Sequence, residues 1–351
     1  MSDQLRVGII GCGNICGIYF KNLCQDIPGV KVTAAADLIL ERAQEKADEY
    51  GIRAMPVGEL LASSDVDIVL NLTIPAAHFE VSMQAIEAGK HVYAEKPITQ
   101  TRDEARRVLA AAEAKGLRVG NAPDTFMGAG IQTCRKLIQS GWVGEPIGGQ
   151  AFMLCHGHES WHPSPEFYYQ HGGGPMFDMG PYYLTTLVHL LGPVCRVSGS
   201  TSISFPTRTI TSQPKFGKVV DVEIPTHVIG MLEFANSAHV TITTSFDVWG
   251  SRSRNLEIFG SEATLSIPDP NTFGGAVELK TRHDSEWRQI PYAAGYAENS
   301  RGLGLIDMAK AIQEKREHLA SGKLAVHVLD IMHAIHESAD QGKRIELSTT
   351  C

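Results

Sequence analysis

The sequence predicts an α/β protein of two parts. A doubly wound parallel sheet takes residues 1–122, and a C-terminal α+β domain with a large, mostly antiparallel sheet takes residues 123–351. Three observations carry this expectation. Strand-like and helix-like stretches alternate through the first third of the chain. After Pro123 the pattern changes to Thr-, Val- and Ser-rich alternation. The 351 residues, 43% hydrophobic and 20% charged, are enough for two cores.

The elements follow in order. "LRVGII" is an apolar strand, then comes the turn "GCGNICG" and an amphipathic stretch to Cys24. "VKVTAAAD" is a second strand and "LERAQEKADEYG" a charged helical run. "VDIVLNLTI" is continuous and apolar, as a strand covered on both faces should be. "HFEVSMQAIEAGK" reads as helix, "HVYAEKP" as strand, "TRDEARRVLAAAEAKG" as helix and "LRVGNAP" as strand. Beyond Pro123, "GAGIQTCRKLIQSGWVG" closes a helix at Gly141. Strand patterns then run from Ile147, broken by one helix around Met179–Leu191. Two helices and the short strand "RIEL" end the chain.

Bulk properties exclude several classes. The formal net charge is −8 and no Lys/Arg cluster stands out, so neither nucleic acid nor an anionic membrane is an expected partner. No apolar run approaches the roughly 20 residues of a membrane span. The N-terminus enters a strand without a signal-peptide pattern, so a cytoplasmic protein is expected. Seven cysteines, at 12, 16, 24, 134, 155, 195 and 351, contain no C-x-x-C and read as thiols of a reducing compartment.

One motif points elsewhere. His158-Glu159-Ser160-Trp161-His162 spells H-E-x-x-H, which on a helix binds zinc through two His on one face. Here Gly157 precedes it, and Pro163 and Pro165 follow. Proline disfavours helix at the residue before it and cannot donate a helical hydrogen bond. The stretch is expected to be a loop without catalytic metal.

The glycine turn carries more. Gly11-Cys12-Gly13-Asn14-Ile15 joins a strand to a helix, the setting for a dinucleotide pyrophosphate. The third glycine of the usual fingerprint is absent, with Cys16 in its place and Gly17 next. The second strand ends in Asp37, 26 positions after Gly11, where a carboxylate would meet ribose hydroxyls. A carboxylate repels a 2′-phosphate and Leu38 offers no charge to one, although Arg42 lies one turn on. NAD is therefore expected in preference to NADP.

Taken together, "GCGNICG", "TIPAAH" (Thr73 to His78), "AGKHVYAEKP" and "GGGPMFDMGPYY" (Gly172 to Tyr183) resemble the Gfo/Idh/MocA oxidoreductases over essentially the whole chain. The resemblance implies a Rossmann domain, an open-faced sheet used for dimers or tetramers, and hydride exchange between NAD and a carbohydrate or cyclitol carbinol. It places Thr73, Pro75, His78, Glu95 and Lys96 with Gly11, Gly13, Asn14, Ile15 and Asp37 at the cofactor. Lys96, Asp178 and Tyr182 are then the expected catalytic residues. Tyr182 is a departure, because the family usually carries His there.

A carbinol gives up hydride only as its hydroxyl proton leaves, so a base is required. A Tyr has a pKa near 10, but a nearby ammonium favours the phenolate. Three acceptors stay open: Tyr182 paired with Lys96, Lys96 alone, or His162 from the loop. The loop His156–Tyr169 is expected to recognise substrate through Trp161, His162 and Tyr168, together with Asp178 and Tyr182. Two further activities fit the same fold: a glycosidase that uses tightly held NAD, and a non-catalytic NAD sensor.

Overall fold

A computed structural model describes residues 4–351. The first strands and helices alternate, as the pattern predicts except for β3 and α3, which it did not mark: β1 (Arg6–Ile10), α1 (Cys16–Lys21), β2 (Lys31–Ala36), α2 (Leu40–Tyr50), β3 (Arg53–Ala54), α3 (Val57–Ala62), β4 (Ile68–Asn71), α4 (His78–Glu87), β5 (His91–Ala94), α5 (Arg102–Ala114) and β6 (Val119–Asn121). The six strands are all parallel, in the order β3-β2-β1-β4-β5-β6. Order reverses between β1 and β4, so the crevice for a ligand opens at their C-terminal ends. All four β4 residues are buried, which accounts for the unbroken apolar run. Helix α5 starts where it does because Thr101 and Glu104 form a reciprocal capping box.

The second sheet has nine strands. They come from β7 (Pro146–Leu154), β8 (Val194–Ser202), β11 (His227–Phe234), β12 (His239–Ser245), β13 (Leu256–Gly260), β14 (Ala263–Ile267), β15 (Val277–Thr281), β16 (Arg288–Ile290) and β17 (Ile345–Glu346). A separate hairpin pairs β9 (Thr207–Thr209) with β10 (Val219–Asp221). Among the described residues, only β7 and β12 run parallel; every other neighbour in the nine-stranded sheet is antiparallel. The helices of this part are α6 (Ala129–Gln139), α7 (Pro175–Asp178) and α8 (Gly180–Leu191).

Strand β11 alternates buried Val228, Gly230 and Leu232 with exposed Ile229 and Met231. One sheet face is thus core, and the other carries apolar side chains in the open.

The chain then forms α9 (Leu303–Glu314) and α10 (Gly322–Gln341). These bring a finding the pattern did not predict. The compact units are not the stretches 1–122 and 123–351. The first runs to Met127 and takes in Asn299–Leu329; the second is Gly128–Glu298 with Asp330–Cys351. The helical periodicity of 303–341 is the same whichever core it covers, so sequence alone placed it with its neighbours.

Asp124 holds the returning segment to the first unit. It is 1% exposed, and its Oδ2 accepts from Gly302 N at 2.8 Å and Gly304 N at 3.0 Å, at the start of α9. Burial pushes its pKa up to about 6, against the lowering effect of those two donors, and nearby Glu95 pushes the same way. The folded pKa thus lies above the unfolded value of about 3.9. The native state binds more protons between these values, so this group's contribution falls as pH rises from about 4 to about 6. Asp124→Asn should therefore gain on the unmutated protein over that window, by up to roughly 3 kcal/mol. Urea denaturation at pH 4 and pH 7 measures it, and a difference that does not change with pH would sink the assignment.

Among the described residues no helix is long and apolar enough to cross a membrane.

Candidate functional site

Chemistry-bearing residues gather in two places, one in each unit. In the first unit they line the C-terminal edge of the parallel sheet. Gly11 has φ +104°, and a Cβ there would sit 2.6 Å from the Leu72 carbonyl group at the end of β4. Only glycine fits that crossing. Gly13, by contrast, has nothing within 4 Å of its would-be Cβ; with Asn14 and Ile15 it is exposed, leaving room for backbone approach.

The neighbouring Cys12 and Cys16 are buried thiols. Burial is the main cause that pushes Cys12 up to about 12 and raises Cys16. They pack the turn.

Asp37 stands at the end of β2 with both oxygens engaged. Oδ2 accepts from Cys12 N at 2.8 Å, and Oδ1 accepts from Ile39 N at 2.9 Å. The carboxylate is fixed between the glycine turn and the next loop, with lone pairs remaining for further donors. Beside it Leu38 is 98% exposed, an apolar ledge that the sequence reading treated only as uncharged.

At the end of β4, Thr73 donates from Oγ1 to Asn71 Oδ1 at 2.6 Å. Pro75 is exposed and opens a short 3-10 turn to Ala77.

His78 lies inside the unit. It is fully buried, with Nδ1 2.6 Å from the Pro97 carbonyl oxygen and Nε2 2.9 Å from that of Thr73. Burial lowers its pKa. Its ring ties together the loops after β4 and β5.

Glu95 is also turned inward. Its Oε1 accepts from Tyr19 Oη at 2.7 Å and its Oε2 from Lys96 N at 2.9 Å. Both residues were expected at the cofactor; their internal partners set the backbone on which the half-buried Lys96 stands.

In the second unit the loop after β7 meets α7 and α8. The H-E-x-x-H stretch makes one turn, with His162 N donating to His158 O at 2.9 Å, and goes no further. Its members face different partners. Glu159 is buried against Arg208, whose Nη1 donates to Oε1 at 2.9 Å, and it also accepts from the Tyr169 hydroxyl. His162 Nδ1 accepts from Ser164 N at 3.0 Å, and Trp161 is 62% exposed. Among the described residues no group of three or more His, Cys, Asp or Glu is arranged to hold a metal.

The glycines of "GGG" serve packing. A Cβ on Gly173 would lie 2.3 Å from the Phe167 carbonyl oxygen, and Gly174 N donates to Tyr168 O at 2.9 Å. They bring the Phe167–Tyr168 turn down onto α7.

Asp178 ends α7, and Tyr182 lies in α8 with 7% exposure. Four positions apart, the two would share a face of one continuous helix. Met179, at φ −109°, breaks the helix between them, and Pro181 starts the next. What faces Asp178 is His158, whose Nε2 lies 3.7 Å from Oδ2. The His158 ring stacks on Tyr168 with centroids 3.7 Å apart and planes 8° apart. Tyr168 therefore supports a histidine, and the sequence reading had left that histidine out of its site. The discarded zinc motif was the signal that could have found it.

Two family models match the chain. Residues 5–122 match an oxidoreductase family with an NAD-binding Rossmann fold, and residues 131–266 match the GFO/IDH/MocA C-terminal domain. The chain belongs to the Gfo/Idh/MocA oxidoreductases.

Its relatives include an inositol 2-dehydrogenase 3 from Saccharopolyspora erythraea, 27% identical over 81% of this chain and 80% of that one. An inositol 2-dehydrogenase from Ralstonia nicotianae is 28% identical over 79% of this chain and 76% of that one. Among solved structures, apo levoglucosan dehydrogenase superposes with a TM-score of 0.84 over 99% of this chain and 100% of that one, at 21% identity. That likeness establishes the fold of a Gfo/Idh/MocA member: a parallel Rossmann sheet followed by a large, mostly antiparallel one.

Proposed function

We propose that this Gfo/Idh/MocA member oxidises a secondary carbinol of a small carbohydrate or cyclitol, with NAD as the hydride acceptor. The observation that carries the reading is the sheet edge of the first unit, where Asp37 is held by Cys12 N and Ile39 N beside an open Gly13. Those residues suit a dinucleotide: backbone at Gly13–Ile15 for the pyrophosphate, Asp37 for ribose hydroxyls, and Leu38 as a ledge for an apolar ring. Bound NAD would supply the hydride acceptor at its nicotinamide. Lys96 is proposed to hold the reacting oxygen, with Asp178 and Tyr182 meeting the substrate. The relatives named for inositol and levoglucosan support a polyhydroxylated ring as the substrate class. Homo-oligomer contacts are proposed for the exposed face of the nine-stranded sheet, where Ile229 and Met231 are exposed, and sedimentation equilibrium tests them.

The test is a panel of aldoses, cyclitols, anhydrosugars and uronates with NAD and with NADP, followed by absorbance of the reduced cofactor. Reduction of NAD by at least one member is expected; reduction of neither cofactor would overturn the reading. Preference follows from Asp37. A hydrogen bond to a charged group contributes about 1.5–3 kcal/mol. Asp37→Ala should therefore weaken NAD binding about 10- to 100-fold and leave NADP binding unchanged or tighter. Tighter binding of NADP than NAD by the unmutated protein would remove the argument.

A further inference from the structure

We propose that the β9–β10 hairpin is a clamp for the loop 156–169, and that Ser212, Lys215 and Lys218 are positioning residues that act on the substrate through that loop. The inference rests on the dehydrogenase reading above and adds the element that sets how tightly the carbinol is held. All of these residues belong to the second unit. The hairpin stands outside the nine-stranded sheet, and its tip closes on itself. Ile210 N donates to Lys218 O at 2.8 Å, Gly217 N donates to Ile210 O at 2.7 Å, and the Ile210 side chain is buried. Gly217 turns the chain at φ +82°, a conformation that suits glycine.

From this frame the ties reach the loop at Glu159, His162, Glu166 and Tyr169. Arg208 Nη1 donates to Glu159 Oε1 at 2.9 Å, and the amides of Thr211 and Ser212 converge on the Glu159 carbonyl oxygen at 2.8 and 2.9 Å. Ser212 Oγ donates to the His162 carbonyl oxygen at 2.5 Å. Lys215 and Lys218 both donate to Glu166 Oε1, at 2.6 and 2.9 Å. Just past β10, Glu223 N donates to the Tyr169 carbonyl oxygen at 2.9 Å. The Lys215 ammonium is the main cause that holds the Glu166 carboxyl down at about 2, so this tie stays charged across the pH range of an assay.

The clamp takes up backbone oxygens and the Glu159 and Glu166 carboxylates, while the Trp161 and Phe167 rings stay 62% and 52% exposed. Exposed rings on a fixed backbone suit the apolar face of a sugar or cyclitol. The same loop reaches Asp178, with His158 Nε2 3.7 Å from Oδ2. An untethered loop of this length samples many conformations, and a substrate binds only the fraction already in the right one. Apparent affinity falls by that fraction, so a clamp made before substrate arrives strengthens binding without entering the chemical step.

The experiment uses the full chain, the carbinol that the panel identifies and saturating NAD. Ser212→Ala/Lys215→Met/Lys218→Met removes three side-chain ties and leaves Arg208 and the backbone ties in place. Its KM for the carbinol should rise about tenfold while kcat stays within about threefold of the unmutated protein. Its Kd for NAD should not change. Amide hydrogen exchange should quicken across residues 159–169 and stay as it was in β1, β4 and β5. Lys215→Arg/Lys218→Arg, which keeps both charges, should hold KM within about twofold of the unmutated value.

An unchanged KM in the triple variant overturns the proposal. So does a fall in kcat at unchanged KM, which would put the hairpin in the chemistry. Unchanged exchange in the loop overturns it as well, because something other than these ties would then hold the loop. An arginine variant that matches the triple variant in KM would show that charge is not the tie. If the unmutated protein turns over nothing on the panel, the dehydrogenase reading falls and the hairpin's substrate role with it; that outcome is read on the unmutated protein alone and is distinct from failure of the variants.

Discussion

Arg208→Met is expected to lower folding stability by about 3–5 kcal/mol, because it breaks a buried ion pair from one side. The Arg208 side chain is 4% exposed and lies between two carboxylates, Glu159 at 10% and Asp247 at 6%. Its Nη1 donates to Glu159 at 2.9 Å; its Nη2 donates to Asp247 and, at 2.9 Å, to the Phe246 carbonyl. The guanidinium also lies over the Phe205 ring, 4.9 Å from its centroid. Methionine fills the space and leaves two buried anions without their cation. The loss should shrink in Arg208→Met/Glu159→Gln, which removes one of those charges. Urea denaturation at pH 7 decides it; a loss under about 1 kcal/mol would mean the pair is solvated and adds little.

Lys96→Met should abolish most turnover while leaving the fold and NAD affinity in place. The residue stands at the end of β5, where its backbone is fixed by Glu95 Oε2 at 2.9 Å and Glu95 in turn by Tyr19 at 2.7 Å. Methionine keeps the length of the side chain and removes only the ammonium. If that ammonium holds the reacting oxygen, kcat should fall about 10²- to 10⁴-fold. Lys96→Arg should recover little, because a planar fork does not replace a point charge. A kcat within tenfold of the unmutated enzyme, with Kd for NAD unchanged, would take Lys96 out of the chemistry.

The parallel sheet was legible where a strand is buried on both faces, as β4 is, and where a helix carries its own start, as α5 does. "VDIVLNLTI" became β4, and "TRDEARRVLAAAEAKG" became α5 from its Thr101 cap. Asp37 was legible because its role depends on one strand end and one turn, both local. The internal partners of His78 and Glu95 were not legible, for the opposite reason. Polar residues at a sheet edge suggest ligand contact, yet their partners are Thr73, Pro97 and Tyr19, brought near only by the fold. Arg208 left no trace in the pattern: inside "TRT" it looks like a solvated charge. The pairing of His158 with Asp178 spans a loop whose path depends on Gly173 and Gly174 packing, which periodicity does not encode.

The return of Asn299–Leu329 to the first unit has a consequence for synthesis. The Rossmann sheet is written first but cannot be finished first. Asn121 N waits for Ala320 O at 3.0 Å, and Asp124 for the amides of Gly302 and Gly304. Residues 128–298, with nearly all of the second sheet, must leave the ribosome in between. At about 5–20 residues per second that is a delay of roughly 10–30 s. During it the edge beside β6 and the buried carboxyl of Asp124 lack their partners. A nascent chain stalled before residue 299 should thus be a chaperone client even though its nucleotide-binding strands are all present, and a fragment ending near residue 127 should behave as the same unfinished species.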